Sequence, residues 1–258
     1  MTEIELRLNF AAFLLRDAGA VEGGSVHKEV LTYYNSQSKL PRGYKLKIGD
    51  AWCAGYVSGK AIQFQLGSYI PLEVSCGKMI EKAQAMGIWE EDDSYDAQIA
   101  DILLFDWDDN GKGDNTGSAD HVGYIIAKRD GYYAVWEGNM GRSGYPDHVG
   151  VRPVPVNGKH IRGFIKPKYD AAANWFTWLE TQKSQNDTNT EEENDMRFKN
   201  LDEIRDKAAF AAPTVEKLLS NGFMVGKGGE EGLDIGEDLL RTLVILDRIG
   251  LIPSVPKV

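Results

Sequence analysis

The chain has too few cysteines for a disulfide framework: only Cys53 and Cys76 occur in 258 residues, and both are expected to stay reduced. It also lacks the roughly 18 to 20 continuous apolar residues that a membrane span requires. The nearest approach to a signal peptide, Leu8 to Leu15, is bracketed by Glu3, Glu5, Arg16 and Asp17, so the expectation is a protein made in the cytoplasm without a leader. Basic residues are in the minority, 29 against 39 acidic, for a formal net charge of -10. That balance argues against nucleic acid as a partner, because tracking phosphates takes a concentrated basic stripe. There is no internal repeat.

What is present is the composition of a globular protein, 42% hydrophobic and 26% charged, which excludes collagen, a coiled-coil rod and wholesale disorder. Thr2 and Glu5 form a capping box ahead of a helix that would bury Ile4, Leu8, Ala11 and Leu15. The helical pattern continues to Leu66, interrupted at Gly23-Gly24 and Pro41-Arg42-Gly43, and a further helix spans Cys76 to Met86, stopping at Gly87. From Ile102 the signal changes to short strands: Ile102–Phe105, Val122–Ala127, Tyr132–Trp136, Gly150–Val154 and Ile161–Ile165, with turns at Asp130-Gly131 and Asn157-Gly158. Helices followed by strands predict an α+β fold, helices packed on an antiparallel sheet.

Residues 1–170 form the first domain in this reading. Residues 171–195 are a helix end and an acidic linker, since Thr181 to Asp195 has no large apolar side chain. Residues 196–258 regain helical periodicity over Thr214–Ser220 and Gly236–Asp247, a helical module of about 60 residues and marginal alone. Its expected core is Val215, Leu218, Leu219, Leu239, Leu243 and Leu246.

Cys53 stands where a loop enters a helix. There, unpaired backbone N–H groups and the positive end of the helix dipole stabilise thiolate over thiol; the alternative is a small buried side chain. Cys76 opens an ordinary helix and has no separate signal. Of four histidines, His27, His148 and His160 read as surface residues, whereas His121 begins a buried strand. The hairpin that follows His121 admits two registers. A two-residue loop at Asp130-Gly131 sets Arg129 opposite Tyr132 and His121 opposite Met140, with Glu137 and Asn139 turned away. A three-residue loop with Gly131 in the left-handed position sets Lys128 opposite Tyr132 and Glu137 opposite Gly123, gathering His121, Glu137 and Asn139 on one face. Nucleophile, base and an orienting carboxylate or amide then follow in the order Cys, His, Glu/Asn.

Trp52-Cys53-Ala54, Asp120-His121-Val122-Gly123 and Glu137-Gly138-Asn139 resemble the three motifs of the CHAP family, papain-like cysteine amidohydrolases and peptidases that cut peptidoglycan. Gly113 to Gly117 and Gly158 to Gly163 resemble stretches of its bacteriophage endolysin branch. The segment Gly23 to Asp50 is longer and more basic than in that family. The resemblance covers residues 1 to 170. It implies a papain-like domain with Cys53, His121, Glu137 and Asn139 as the catalytic set. The expected activity is hydrolysis of a Gram-positive wall amide, as amidase or endopeptidase, after release from the host cytoplasm. The competing readings are a non-catalytic wall-binding protein and an intracellular thiol peptidase. Pro213 to Gly222 with Gly236 to Arg241 is similar to half of an S-layer homology module. Wall polymers and self-association through 196–258 are therefore expected for the second domain.

Asp106 to Asp114 matches the first part of an EF-hand loop. Asp106, Asp108, Asn110 and Asp114 stand at oxygen-ligand places, with a carbonyl from Lys112 and a turn at Gly111. Calcium is the expected ion and Asp120 a late ligand, although Gly117 occupies the place of the bidentate glutamate; the alternative is an acidic solvated loop. Met196, after Glu191-Glu192-Glu193, is a candidate internal translation start.

Overall fold

Thr2 starts helix α1 (Glu3–Leu15) through a complete capping box: its Oγ1 accepts the Glu5 N–H at 3.3 Å, and Glu5 Oε2 accepts the Thr2 N–H at 2.6 Å. The computed structural model describes residues 1–109, 117–142, 144–186, 197–220, 233, 235–236, 240, 243–244 and 247. The chain divides into two units, Met1–Thr181 and Gln182–Val258. The buried face of α1 is Leu6, Phe10, Ala11 and Leu14, with Ile4 exposed, a rotation from the expected stripe. The apolar residues of α1 are not confined to one stripe, so its phase is set by what it meets: the Phe10 ring lies 5.0 Å from those of both Phe64 and Tyr124.

α2 (Ser25–Asn35) packs on α3 (Cys53–Gln63), and Gly59 permits the approach, since a Cβ there would come within 2.9 Å of Val30. α3 ends earlier than its apolar pattern suggests. Gln65 takes φ 61°, Leu66 N–H returns to Ala61 and Gln65 N–H to Ile62, a Schellman closure that ends the helix short of Leu66. α4 (Cys76–Ala85) stops at Gly87, φ 65°, as anticipated.

Six strands form one antiparallel sheet in the order β1-β6-β2-β3-β4-β5. They are β1 (Trp89–Glu90), β2 (Ile102–Phe105), β3 (His121–Arg129), β4 (Tyr132–Arg142), β5 (Tyr145–Pro155) and β6 (Ile161–Ile165). The fold is thus α+β. All four residues of β2 are buried, because its sheet position is covered on both faces, which is why it reads as an unbroken apolar run. Leu103, Phe105, Ile125, Tyr133, Val135 and Phe164 share one cluster. α3 lies against β3 and β4: Tyr124 OH donates to Val57 O at 2.8 Å, and Trp136 Nε1 donates to Tyr56 OH at 3.0 Å. Tyr56 OH donates in turn to Asp17, which also pairs with the buried Lys60 at 2.9 Å. No helix among the described residues is long and apolar enough to cross a membrane.

α5 (Tyr169–Asn186) runs into the segment expected to be linker, since a helix already nucleated propagates through polar formers such as Gln and Lys. Residues 187–196, including Met196, lie outside the described residues. In the second unit β7 (Arg197–Phe198), α6 (Leu201–Lys207), α7 (Ala212–Ser220) and β8 (Ile235–Gly236) surround Phe198, Ile204, Val215, Leu240 and Val244. The unit holds the expected helices α6 and α7 and, in addition, the antiparallel β7–β8 pair. Gly236, expected to open a helix, belongs to a strand. Leu218 and Leu243 are buried as expected; Leu239 and Leu246 lie outside the described residues.

Candidate active site

Cys53 is the first residue of α3, and the preceding Trp52 has no side-chain cap, so the thiol occupies the turn where helix N–H groups lack partners. Gly138 of β4 makes the position possible: a Cβ there would fall 2.6 Å from Tyr56 Cβ and 2.8 Å from the Trp52 ring. Only a glycine lets the sheet pass this close to the helix start.

His121 arrives from the first residue of β3, and its Nε2 lies 3.0 Å from Oε2 of Glu137. The hairpin achieves this by a route different from the one expected. Asp130 and Gly131, with φ 51° and 80°, form a two-residue turn, and Arg129 pairs with Tyr132. The register then shifts between Ile125 and Ala127, so that Tyr124 pairs with Trp136. Continued one step, that register brings Glu137 opposite Gly123, where a Cβ would approach Glu137 Cγ to 2.7 Å. The bulge supplies the one-residue offset that the sequence reading assigned to a longer loop.

Glu137 is fully buried and has a second partner that sequence reasoning missed. Arg152 Nε lies 2.9 Å from Oε1 and 3.0 Å from Oε2. Its place opposite Val135 in the β4–β5 ladder puts it on the face of Glu137. An arginine amid the strand signal of Gly150–Val154 was the available clue. The Arg152 guanidinium also lies 5.1 Å from the ring centre of Trp107, an exposed side chain stacked on Phe105 and flanked by His121 and His160. Trp107 therefore forms an aromatic wall beside the histidine.

Cys76, which sequence reasoning set aside, is the nearest sulfur to Cys53: the two Sγ atoms are 3.8 Å apart and both side chains are buried. The thiol of Cys53 is held well below its ordinary range. The hydrogen bond from Cys76 is the largest cause and works against desolvation; His121, through hydrogen bond and charge, and the Ala54 backbone add to it. The Cys76 thiol is pushed up by the same hydrogen bond, by burial and by the charges of Cys53 and Asp120. The two thiols are thus shifted in opposite directions, Cys53 toward thiolate and Cys76 toward the protonated thiol. His121 is desolvated, which favours the neutral ring, yet Cys53 and Glu137 together outweigh burial and raise it to about 9. With Nε2 committed to Glu137, Nδ1 is the nitrogen left for Cys53. A thiol and an imidazole that favour each other's charged forms at a helix N-terminus can attack a carbonyl and protonate a leaving amine.

Asn139 takes φ 59° in an irregular stretch of the β4–β5 ladder, and its Oδ1 accepts the Trp52 N–H at 3.2 Å. Its contact is with the loop that presents Cys53. His27 is not a surface residue as expected: it is fully buried, its Nδ1 accepts the Gly23 N–H at 2.8 Å, and its ring lies 4.5 Å from that of Trp52. α2 hides it by packing its histidine face inward. His148 belongs to β5, is half-buried and bridges Val21. His160 Nδ1 is 3.2 Å from the Asp106 carbonyl.

Of the expected calcium ligands, Asn110, Lys112 and Asp114 lie outside the described residues. Asp106 is buried, its Oδ1 accepts the Asp108 N–H at 3.0 Å, and a Cβ on Gly117 would collide with its Oδ2. Asp120 Oδ2 accepts the Trp107 N–H at 2.8 Å. Both carboxylates thus serve the turn around Trp107. Among the described residues no three His, Cys, Asp or Glu side chains converge as a metal site. Comparison with protein-family models, curated proteins and solved structures finds no match to this chain.

Proposed function

We propose that the first unit is a papain-like cysteine hydrolase of the CHAP type that cleaves an amide bond of Gram-positive peptidoglycan. The reading is carried by one observation: Cys53 opens α3, and its thiol and the His121 ring each shift the other toward its charged form, while His121 Nε2 lies 3.0 Å from the buried Glu137 carboxylate. The choice of peptidoglycan rests on the likeness of the Cys53, His121 and Glu137 segments to that family.

In the reaction the Cys53 sulfur attacks the amide carbonyl, and the tetrahedral oxyanion is met by the Cys53 backbone N–H. His121 gives its proton to the departing amine, leaving an acyl-enzyme. It then takes a proton from water, which displaces the acyl group and restores the thiolate. Glu137, gripped by Arg152, keeps the imidazole oriented throughout, and Asn139 steadies the Trp52–Cys53 backbone. The second unit serves as a wall-targeting or self-associating module, and calcium binds the loop that begins at Asp106.

Purified protein should clear suspensions of Gram-positive walls and leave casein intact, and the new amino group in the digested muropeptides identifies the bond cut. Casein digestion without wall clearing would assign an intracellular thiol peptidase. Binding to walls without any new amino group would assign a non-catalytic wall protein.

A further inference from the structure

The reaction proposed above uses one thiol, yet two meet at the site from different helices, each at the first residue of its helix. The two Sγ atoms lie 3.8 Å apart. We infer that Cys53 and Cys76 form a peroxide-sensitive pair in which Cys53 is the reacting thiol and Cys76 the resolving thiol, closing to a disulfide that reversibly shuts the site. The inference rests on Cys53 being the reactive nucleophile.

Three features of the geometry carry it. A disulfide holds its sulfurs about 2.05 Å apart, so closing the gap asks each sulfur to move by about 1 Å, within reach of small side-chain rotations. Cys53 and Cys76 are only 6% and 7% exposed, which favours a small oxidant. A hydroperoxide is smaller than the peptide carbonyl that must reach Cys53. The thiols are also shifted in the sense the chemistry requires, Cys53 toward thiolate and Cys76 toward the protonated thiol.

The steps balance. The Cys53 thiolate attacks one oxygen of hydrogen peroxide and the O–O bond breaks. Cys53 becomes a sulfenic acid, and the other oxygen leaves as water after taking a proton from the His121 imidazolium. The Cys76 sulfur then attacks the Cys53 sulfur and the S–O bond breaks. The hydroxyl departs as a second water with the Cys76 proton. Two thiols are oxidised and one peroxide is reduced. Without Cys76 the sulfenic acid has no adjacent thiol and is exposed to further, irreversible oxidation.

The test is to treat the full-length reduced protein with hydrogen peroxide, block free thiols, and measure intact mass and tryptic peptides. Lys60 lies between the two cysteines, so trypsin separates them unless they are linked. The expected result is loss of two hydrogen masses, a peptide pair joined through Cys53 and Cys76, and complete reversal by dithiothreitol. Wall clearing should fall by at least about tenfold on oxidation and return on reduction. Cys76→Ser and Cys76→Ala should instead gain oxygen at Cys53 and stay inactive after dithiothreitol. Oxygen addition at Cys53 in the unmutated protein, or two thiols still free after treatment, would overturn the inference. The mass readout does not depend on activity. If the reduced protein clears no walls yet forms the link, the peptidoglycan reading falls and the thiol pair stands.

Discussion

Nε2 of His121 lies 3.0 Å from Oε2 of Glu137, a fully buried carboxylate that is itself gripped by Arg152. The pairing contributes to lifting the imidazole to about 9, and a pH dependence follows. Wall clearing should hold through neutral pH and fall as pH rises through about 9, where the proton destined for the leaving amine is lost. Stability has the same sign. The folded-state value exceeds the unfolded 6.5, so the contribution is complete below 6.5 and is lost as pH rises through about 9. Glu137→Gln should move the alkaline limb to lower pH and cut the rate by about 10²-fold or more. An unmoved limb in rate–pH profiles would remove Glu137 from this role.

Cys53→Ala should lower wall clearing by at least about 10³-fold while leaving the melting temperature nearly unchanged, because one small side chain replaces another at a helix start. His121→Ala should be equally inactive. His148→Ala and His160→Ala should retain most activity. The reverse ranking among the histidines, measured on walls at neutral pH, would mean that a different base serves Cys53.

Gly123→Ala tests the strand register. The added methyl would meet Glu137 Cγ and Val135 Cγ1 at 2.7 Å and the Trp136 carbonyl at 2.8 Å, so a loss of about 1 to 3 kcal/mol in denaturant unfolding is expected. Activity should fall further than that loss explains, because Glu137 must shift from His121. A neutral Gly123→Ala would contradict the close approach of β3 and β4.

Calcium at the Asp106 loop should raise the melting temperature in proportion to site occupancy, and a chelator should reverse the gain. Identical melting curves with and without millimolar calcium would dismiss the ion.

Much of the site was legible in one dimension because its members carry local signatures. Cys53 follows a loop and opens a helix; His121 precedes an apolar strand; β2 and β6 were bounded by their own apolar runs. The capping box at Thr2 and the stop at Gly87 are likewise short-range chemistry, settled by side chains within four residues of each other.

What the sequence did not decide is whatever depends on two distant segments meeting. Asp130-Gly131 specified a turn but not its length, and only the bulge near Ile126 determined that Glu137 would stand opposite Gly123. The helical phase of α1 was ambiguous until Phe10 met Phe64 and Tyr124. His27 looked solvated on a polar helix until α2 packed it beside Trp52. Cys76 had no signature at all, because its significance is a 3.8 Å distance across 23 residues of chain, and Arg152 gained its role through a ladder with β4. Residue type and local pattern determined which groups could do chemistry. Tertiary packing decided which of them share a desolvated space, and desolvation with a partner is what shifts protons and makes a site.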